Sequence, residues 1–256
     1  IISTVSKIFE RLIDRQKLDV KTRILHDGIS AYRINYNCQS VLLHAVETWK
    51  LALDQRKQVG ILLMDLSKAF DSISHPLLLA KLHAYGFAEN AVRLLASYLT
   101  GRSQKVRIQS EYSDYHILKR GVPQGSVLGP SLFNFFINDL FWFIEKSILS
   151  NFADDNTLTA IADSTGEVKR LLMDESAIAV KWYTDNDLKV NTGKFQTMLL
   201  ASDDTTNFYV EILGTSIKQT HSARLLGISI DCNLSFRSEE HTSELQSRQY
   251  LVCRLL

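Results

Sequence analysis

One short apolar run with a carboxylate near its end places the strongest constraint on how this chain folds. Residues 59–66 read VGILLMDL and have polar residues on both sides. A run of this length and composition is typical of a strand that is buried on both faces. Asp65 is costly to desolvate there unless a positive group binds it. We therefore expect Asp65 to cap a helix, to pair with a basic residue or to bind a metal ion.

A second acidic segment lies between two short apolar runs, 148–153 and 157–161. Asp154, Asp155 and Asn156 separate these runs, and Asp and Asn favour turns, so a hairpin is predicted. Two adjacent carboxylates on a tight turn repel each other. A divalent cation such as Mg²⁺, which prefers oxygen ligands, would relieve the repulsion. A solvated acidic turn would explain the same sequence.

A loop rich in glycine and proline occupies residues 121–130, GVPQGSVLGP. Glycines let the backbone approach a flat or phosphorylated ligand closely. Gln124 within the loop offers both a hydrogen-bond donor and an acceptor. Such turns commonly precede helices, so this loop does not by itself define a site.

The remaining segments mix helical and strand patterns. Apolar spacing, or a Pro at a helix start, predicts helices at 5–13, 39–53, from Pro76, 89–99, 131–146 and 167–186. Strands are predicted at 195–201, 208–213 and 224–230, and a hairpin between Val106 and Ile117. Helices and strands do not alternate regularly, which favours the α+β class.

Composition excludes several classes of protein. Apolar residues make up 45% of the chain and charged residues 22%, which excludes a mostly disordered chain. No apolar run approaches the roughly 18 residues that span a bilayer, and no secretory signal opens the chain. We therefore expect no membrane partner. The three cysteines are widely spaced, which argues against a disulfide framework or a zinc site.

Basic residues are concentrated around the predicted hairpin, although the net charge is only +1. A local cluster suffices for phosphate contacts with salt-dependent affinity. The candidate nucleic-acid-binding residues are Arg102, Lys105, Arg107, Lys119 and Arg120. A solvated surface is the alternative interpretation of the same cluster.

In their order and spacing, these segments resemble the reverse transcriptases of non-LTR (LINE-like, jockey-type) retrotransposons. Asp65 with residues 69–71 resembles the first palm motif of that family. The later palm motifs are matched by residues 121–140, 152–155, 188–196 and 226–230, and two fingers signatures by residues 6–10 and 30–33. The resemblance covers residues 1–236.

The resemblance implies a right-hand polymerase palm, an antiparallel sheet backed by helices. Residues 1–58 would be a partial fingers region, and 59–236 the palm with a fingers-side hairpin near 104–119. We expect the thumb to be missing and the chain to be a fragment. Residues 237–256 resemble a translated sequencing adapter, and we expect an artefactual or disordered tail there.

The resemblance also implies a chemistry. Asp65, Asp154 and Asp155 would hold two Mg²⁺ ions, with Mn²⁺ as a possible substitute, and dNTPs would be added to a DNA primer on an RNA template. Phe70 would exclude a ribose 2′-hydroxyl, and Gln124 would contact the incoming nucleotide or the template base. The alternatives for these two residues are a core Phe and a loop amide.

Two basic residues complete the predicted nucleotide site. Lys194 would lie near the leaving pyrophosphate and Arg33 near a phosphate; a surface ammonium is the alternative for Lys194. The competing functions are a catalytically inactive nucleic-acid-binding remnant, or a maturase or retron-type reverse transcriptase. The retrotransposon class implies nuclear and cytoplasmic localisation.

Overall fold

The fold is described for residues 3–16, 23–201 and 208–235 in a computed structural model. The helices are α1 Thr4–Gln16, α2 Cys38–Asp54, α3 Ala69–Ser72, α4 His75–Ala84, α5 Glu89–Leu99, α6 Leu128–Ile137 and α7 Thr165–Asp185. The longer strands are β1 Gln58–Ser67, β6 Ile148–Phe152, β7 Asp155–Ala162 and β9 Gln196–Leu200. The shorter strands are β2 Ser103–Gln104, β3 Arg107–Ile108, β4 Glu111–Tyr112, β5 His116–Ile117, β8 Lys189–Val190, β10 Tyr209–Ile212, β11 Thr215–Lys218, β12 Ser222–Leu225 and β13 Ile228–Asp231.

The central sheet is built on β1, the apolar run identified from the sequence. β1 pairs antiparallel with β7 along one side, and with β9 and then β8 along the other. β6 pairs with β7 and forms the outer edge. The mixture of helices with an antiparallel sheet confirms the predicted α+β class.

Helices cover both faces of this sheet, which explains why β1 is apolar almost throughout. Leu62 belongs to the core cluster that also contains residues of α6 and α7. Ile61, its neighbour in β1, belongs to a second cluster with Trp49 of α2 and Met198 of β9. Since successive side chains of a strand point to opposite faces, one strand contributes to both cores.

The predicted helix 131–146 is shorter than expected. α6 ends at Ile137, and a 3₁₀ turn over Asn138–Trp142 follows it. The buried Asn138 side chain accepts a hydrogen bond from His26 N (2.7 Å) and donates one to Ile24 O (3.1 Å). These long-range bonds fix the position where the helix ends, and apolar spacing cannot indicate them.

The predicted strand 224–230 is instead a hairpin of β12 and β13. Leu226 and Gly227, between the two strands, have φ values of 49° and 86°. Positive φ at both central residues is the conformation of a two-residue type I′ turn, which matches the twist of the flanking strands. The predicted hairpin between Val106 and Ile117 is confirmed, with β2 paired to β5 and β3 to β4.

The predicted N-terminal helix forms, but its apolar stripe faces outwards. Val5 and Phe9 are 77% and 51% exposed, whereas Glu10 is buried. One carboxylate oxygen of Glu10 accepts hydrogen bonds from Val127 N (2.6 Å) and Leu128 N (3.1 Å), at the start of α6. A carboxylate is stabilised there by unpaired amides and the positive end of the helix dipole.

The predicted adapter-like tail, 237–256, lies outside the described residues.

In the described part, none of the helices combines the length and apolar character that crossing a bilayer requires.

The close contact between β1 and α7 generates a stability prediction. A Cβ added at Gly60 would overlap Val168 Cγ1 and lie 3.1 Å from Leu172 Cδ1. We expect Gly60→Ala to lower the free energy of unfolding by about 1–3 kcal/mol, because a packed core tolerates added volume poorly. Urea unfolding measures this change. Gly166→Ala is the control, since nothing lies within 4 Å of its added Cβ in α7 and helix propensity favours it. Equal stability of the two variants would contradict this packing.

Candidate active site

The pairing of β1 with β7 places two of the three predicted catalytic carboxylates opposite each other. Asp65 and Asp155 are cross-strand partners at the end of the register. Directly opposed residues in an antiparallel pair project from the same face, with Cβ atoms about 5 Å apart. Asp154 precedes Asp155 at the tip of the β6–β7 hairpin. Residues about 90 positions apart in the chain are thus neighbours in space.

Buried asparagines shape the hairpin tip that carries Asp154 and Asp155. Asn151 donates hydrogen bonds to Ala153 O (2.7 Å) and to the side-chain oxygen of Asn156 (3.1 Å). Ala153 has a φ of 58°, and Asn156 donates to Asp154 O (3.2 Å). The backbone of the turn is held from inside, while both aspartate side chains are exposed. Sequence analysis missed Asn151; an amide inside an apolar strand was the available signal.

The electrostatics of this site disfavour a full set of negative charges. Although Asp155 is open to solvent, desolvation by the surrounding protein raises its pKa above the ordinary value, and the carboxylates of Asp154 and Asp65 raise it further. A raised carboxyl pKa means that the charged form is destabilised in the folded protein. A cation placed among these oxygens would reverse the effect. The site is therefore short of positive charge.

Lys194 supplies part of that charge. Its ammonium nitrogen lies 2.9 Å from one carboxylate oxygen of Asp65, from a 3₁₀ turn over Thr192–Lys194 between β8 and β9. Of the three roles considered for Asp65, the structure shows the ion pair. The Lys194 side chain is 61% exposed, so the pair is open to solvent and weakly held.

The side chains near Asp65, Asp154 and Asp155 determine whether this site could hold a metal ion. Among residues 3–16, 23–201 and 208–235, no three His, Cys, Asp or Glu side chains are arranged to hold a metal ion. The chemistry of the donors nevertheless fits a hard cation, because carboxylate oxygens are the ligands that Mg²⁺ prefers. Binding at Asp65 would require Lys194 to release this carboxylate. The metal-binding role of the three aspartates stays a prediction.

A cleft of about 360 Å³ lies beside the carboxylates. Asp65 and Asp155 line it together with Lys194, Gln196 and Arg224. Groups of both signs therefore meet in one concave surface, which suits a ligand that carries phosphates and a bound cation. Arg224 was not predicted as a site residue, because it comes from the β12–β13 hairpin that sequence analysis took for a single strand.

The glycine-rich loop contacts the turn that follows β1. Val122 N donates to Phe70 O (2.9 Å), and Gly121 N donates to Ile73 O (2.8 Å). Gln124 donates to both carboxylate oxygens of Asp71, at 3.1 and 3.2 Å. The first two predicted palm motifs are thus in direct contact.

Phe70 is half-buried. Its ring stacks on Phe133 of α6, with centroids 4.5 Å apart, and meets Tyr32 edge-on at 6.4 Å. Burial, followed by the charge of nearby Asp154, raises the pKa of Tyr32. Tyr32 therefore lies near both Phe70, the residue predicted to exclude a ribose 2′-hydroxyl, and the acidic hairpin, although only its segment was noted in the sequence. The nucleotide-binding roles of Phe70 and Gln124 stay predictions.

Arg33 has a different setting. Its guanidinium donates to His26 O and Ile29 O, both at 2.9 Å, and lies 3.7 Å from an Asp27 oxygen. Its side chain is only 10% exposed, so it holds its own loop together. The predicted phosphate contact gains no support from these surroundings.

The five candidate nucleic-acid-binding residues separate into groups. Lys105 and Arg107 both lie over the ring of Tyr112, whereas Arg102 lies over the ring of Tyr98. Lys119 is exposed. Arg120 pairs with Asp187 at 3.1 Å, away from the hairpin. The cluster predicted from the sequence is thus spread over several sites.

Comparison with solved structures identifies the fold class. The fold is similar to that of apo telomerase from Candida tropicalis, with a TM-score of 0.63 and 12% identity over 93% of this chain and 41% of that one. A form of the same telomerase truncated from its C-terminal domain gives 0.61 and 14%, over 90% and 44% of the two chains. The fold is thus the palm type of reverse transcriptases, which confirms the predicted right-hand palm.

Sequence similarity identifies the family to which the chain belongs. Residues 1–230 match the family described as reverse transcriptase (RNA-dependent DNA polymerase), and the chain belongs to it. It is 30% identical to the probable RNA-directed DNA polymerase from transposon BS of Drosophila melanogaster, over 92% of this chain and 27% of that protein. It is 28% identical to the polymerase from mobile element jockey of Drosophila funebris, over 96% and 28%.

These similarities confirm the resemblance to the reverse transcriptase domain of non-LTR retrotransposons. The chain spans a little over a quarter of the length of these relatives.

The contact between the two palm motifs can be tested at Gly121. This residue has a φ of 82°, and an added Cβ would lie 2.7–2.9 Å from backbone atoms of Asp71. We expect Gly121→Ala to lower the free energy of unfolding by about 2–5 kcal/mol, since strain and overlap add. Gly125→Ala is the matched control, because its φ is 76° but nothing lies within 4 Å. It should cost only about 1–2 kcal/mol. Equal losses in denaturant unfolding would show that the loop is not packed against Asp71.

Proposed function

We propose that this chain is the polymerase domain of an RNA-directed DNA polymerase that adds dNTPs to a DNA 3′-end on an RNA template. The observation that carries the proposal is the opposition of Asp65 and Asp155 across β1 and β7. The relatives are named RNA-directed DNA polymerases. Since the chain spans only part of their length, their activity is assigned to it as a proposal.

The metal-binding part of the proposal concerns three carboxylates. Asp65, Asp154 and Asp155 would hold two Mg²⁺ ions, and Mn²⁺ could replace them. Bound there, the ions would lower the pKa of the primer hydroxyl and neutralise charge on the triphosphate. The raised pKa of Asp155 supports this assignment, because desolvation and then the charges of Asp154 and Asp65 disfavour its ionised form, and a bound cation would offset both causes.

In this proposal the Lys194 side chain occupies two positions, one beside Asp65 and one beside the phosphates of a bound nucleotide. In the described structure its ammonium neutralises Asp65. Once a cation takes over that carboxylate, the ammonium is free to turn towards the phosphates of a nucleotide in the same cleft. The 61% exposure of the side chain leaves room for that movement. Lys194 would thus balance charge on the leaving pyrophosphate.

The proposed nucleotide pocket rests on Phe70 and Gln124. Stacking on Phe133 fixes the ring plane of Phe70, so a rigid side chain would stand beneath the sugar and reject a 2′-hydroxyl sterically. Gln124 is held by Asp71, with its amide oxygen left to contact a base or nucleotide. Arg33 would support this region only indirectly, by holding the loop that carries Tyr32.

The proposed template and primer contacts use the basic residues around the β2–β5 hairpin. Arg102, Lys105, Arg107 and Lys119 would contact phosphates, with affinity that falls as salt rises. Arg120 would do so after releasing Asp187. We further propose residues 1–58 as partial fingers and 59–236 as palm, and an intracellular setting in cytoplasm and nucleus.

Primer extension tests the proposed activity. With Mg²⁺, dNTPs and a DNA primer annealed to RNA, we expect the wild-type chain to extend the primer. Asp155→Asn should reduce the rate by about 10²–10³-fold, since removing one preorganised electrostatic group has effects of that size. Asp174→Asn is the control, because this exposed residue of α7 pairs with Arg170 and lies outside the cleft. Template binding without extension by any variant would favour the inactive nucleic-acid-binding remnant.

A further inference from the structure

The hairpin formed by β2–β5 carries tyrosines and cations on one face. β3 and β4 pair Arg107 with Tyr112 directly across the ribbon, so their side chains share a face. Lys105 Nζ lies 4.1 Å from the ring centre of Tyr112 and 5.0 Å from that of Tyr115. Arg107 Cζ lies 5.4 Å from the Tyr112 centre. We call these four residues the aromatic–cationic face.

The two rings do not contribute to the interior of the protein. Tyr112 is 52% exposed and Tyr115 is 69% exposed, and neither belongs to a core cluster. Tyr112 lies in a strand of two residues, Tyr115 directly precedes another of that length, and an isolated ribbon of this kind is marginally stable. Large rings therefore stand in water on an element to which they add little stability. Such exposed aromatic residues are characteristic of binding surfaces.

Charge indicates what this face binds. Arg102, Lys105 and Arg107 lie within six residues, and the ribbon contains only Glu111 and Asp114 as acids. An apolar protein partner would have to desolvate these cations without compensation, which is costly. Aromatic rings interleaved with cations are the arrangement that binds unpaired nucleic-acid strands, with bases stacked on rings and phosphates on the cations. A duplex does not offer its base faces for such stacking.

The contacts already present would give way to such a ligand. A cation over an exposed ring is held weakly, whereas a base stacked on an aromatic side chain is held more strongly. Lys105 would lose its position over Tyr112 but could bind the phosphate that follows the stacked base. One movement of a flexible side chain thus converts the face from its free to its bound arrangement.

We propose that the aromatic–cationic face binds the unpaired part of the RNA template, with bases stacked on Tyr112 and Tyr115 and phosphates contacted by Lys105 and Arg107. The inference rests on the proposed function for the identity of the strand. The stacking chemistry itself is common to unpaired RNA and unpaired DNA, and arms with each separate these two sources.

The test is fluorescence anisotropy with a labelled 12-nucleotide RNA, in parallel with DNA of the same sequence and a blunt RNA duplex. We expect the double variant Tyr112→Ala/Tyr115→Ala to bind unpaired RNA at least about 30-fold more weakly than wild type, because two stacking contacts are lost. The double variant Tyr112→Phe/Tyr115→Phe should bind like wild type, because stacking needs the ring and not the hydroxyl. Tyr209→Ala, which removes an exposed tyrosine paired with Lys169 outside the ribbon, should have no effect.

Salt dependence separates stacking from phosphate contacts. The double Tyr→Ala variant should keep the wild-type slope of log affinity against log salt. Lys105→Gln/Arg107→Gln should instead reduce the magnitude of that slope by about 1.4, the value for two phosphate contacts on a single strand. Unfolding midpoints of all variants should stay unchanged, because the replaced side chains lie outside the core clusters.

Several results would overturn the proposal. One is an affinity of the double Tyr→Ala variant for unpaired RNA within twofold of wild type. Another is a loss of RNA affinity in Tyr209→Ala as large as that of the double variant. A third is a loss of affinity of the double variant for the blunt duplex as large as its loss for unpaired RNA. If the tyrosine variants change the sedimentation coefficient but not RNA binding, the face joins two copies of the chain instead. A stronger effect on DNA than on RNA would assign the face to an unpaired DNA strand. If primer extension fails but RNA binding still depends on the tyrosines, the proposed function is rejected and the role of the face stands. If primer extension succeeds but RNA binding does not depend on the tyrosines, the role of the face is rejected and the proposed function stands.

Discussion

The antiparallel pairing of β1 with β7 is the constraint on which the rest of the site depends. It places Asp65 opposite Asp155, and a slip of one residue would turn one side chain to the other face of the sheet. Because both faces of β1 are apolar, alternation of side chains alone does not fix this register. Other contacts position β1 itself: Gly60 packs against Val168 of α7, and Thr197 Oγ1 of β9 donates to Ile61 O at 3.0 Å.

The same pairing gives the site its unfavourable electrostatics. Three carboxylates lie near the end of the sheet, and desolvation, followed by the charges of Asp154 and Asp65, raises the pKa of Asp155. Lys194 offsets the charge of Asp65, but it does so from an exposed position. Because the Lys194 ammonium is weakly held, a bound metal ion could replace it beside Asp65. The clustered carboxylates destabilise the fold locally, and the two apolar cores on either side of β1 compensate for that loss.

Much of this organisation could be predicted from the sequence. The helix at 89–99 was predicted with the bounds that the structure has, and β1 and the β6–β7 hairpin were located within two residues. These elements are governed by local periodicity and turn chemistry, which a single sequence displays. The motif spacing also indicated the family, because spacing is fixed by the way the palm brings distant segments together.

What the sequence could not provide depends on long-range contacts. The end of α6 is fixed by Asn138 bonding to residues more than 100 positions away. Glu10 is buried because it meets the start of α6, and helical periodicity alone would have turned that side of α1 outwards. In both cases a polar side chain has partners that no local pattern reveals.

Titration with Mn²⁺, followed by loss of the free-ion electron paramagnetic resonance signal, tests whether the opposed carboxylates of β1 and β7 bind metal. We expect saturable binding by the wild-type chain, and binding at least about tenfold weaker in Asp155→Asn, because one charged oxygen ligand is lost. The unchanged affinity of Asp174→Asn would show that the effect is local. Equal affinity of wild type and Asp155→Asn would mean that the opposed carboxylates of β1 and β7 do not form a metal site.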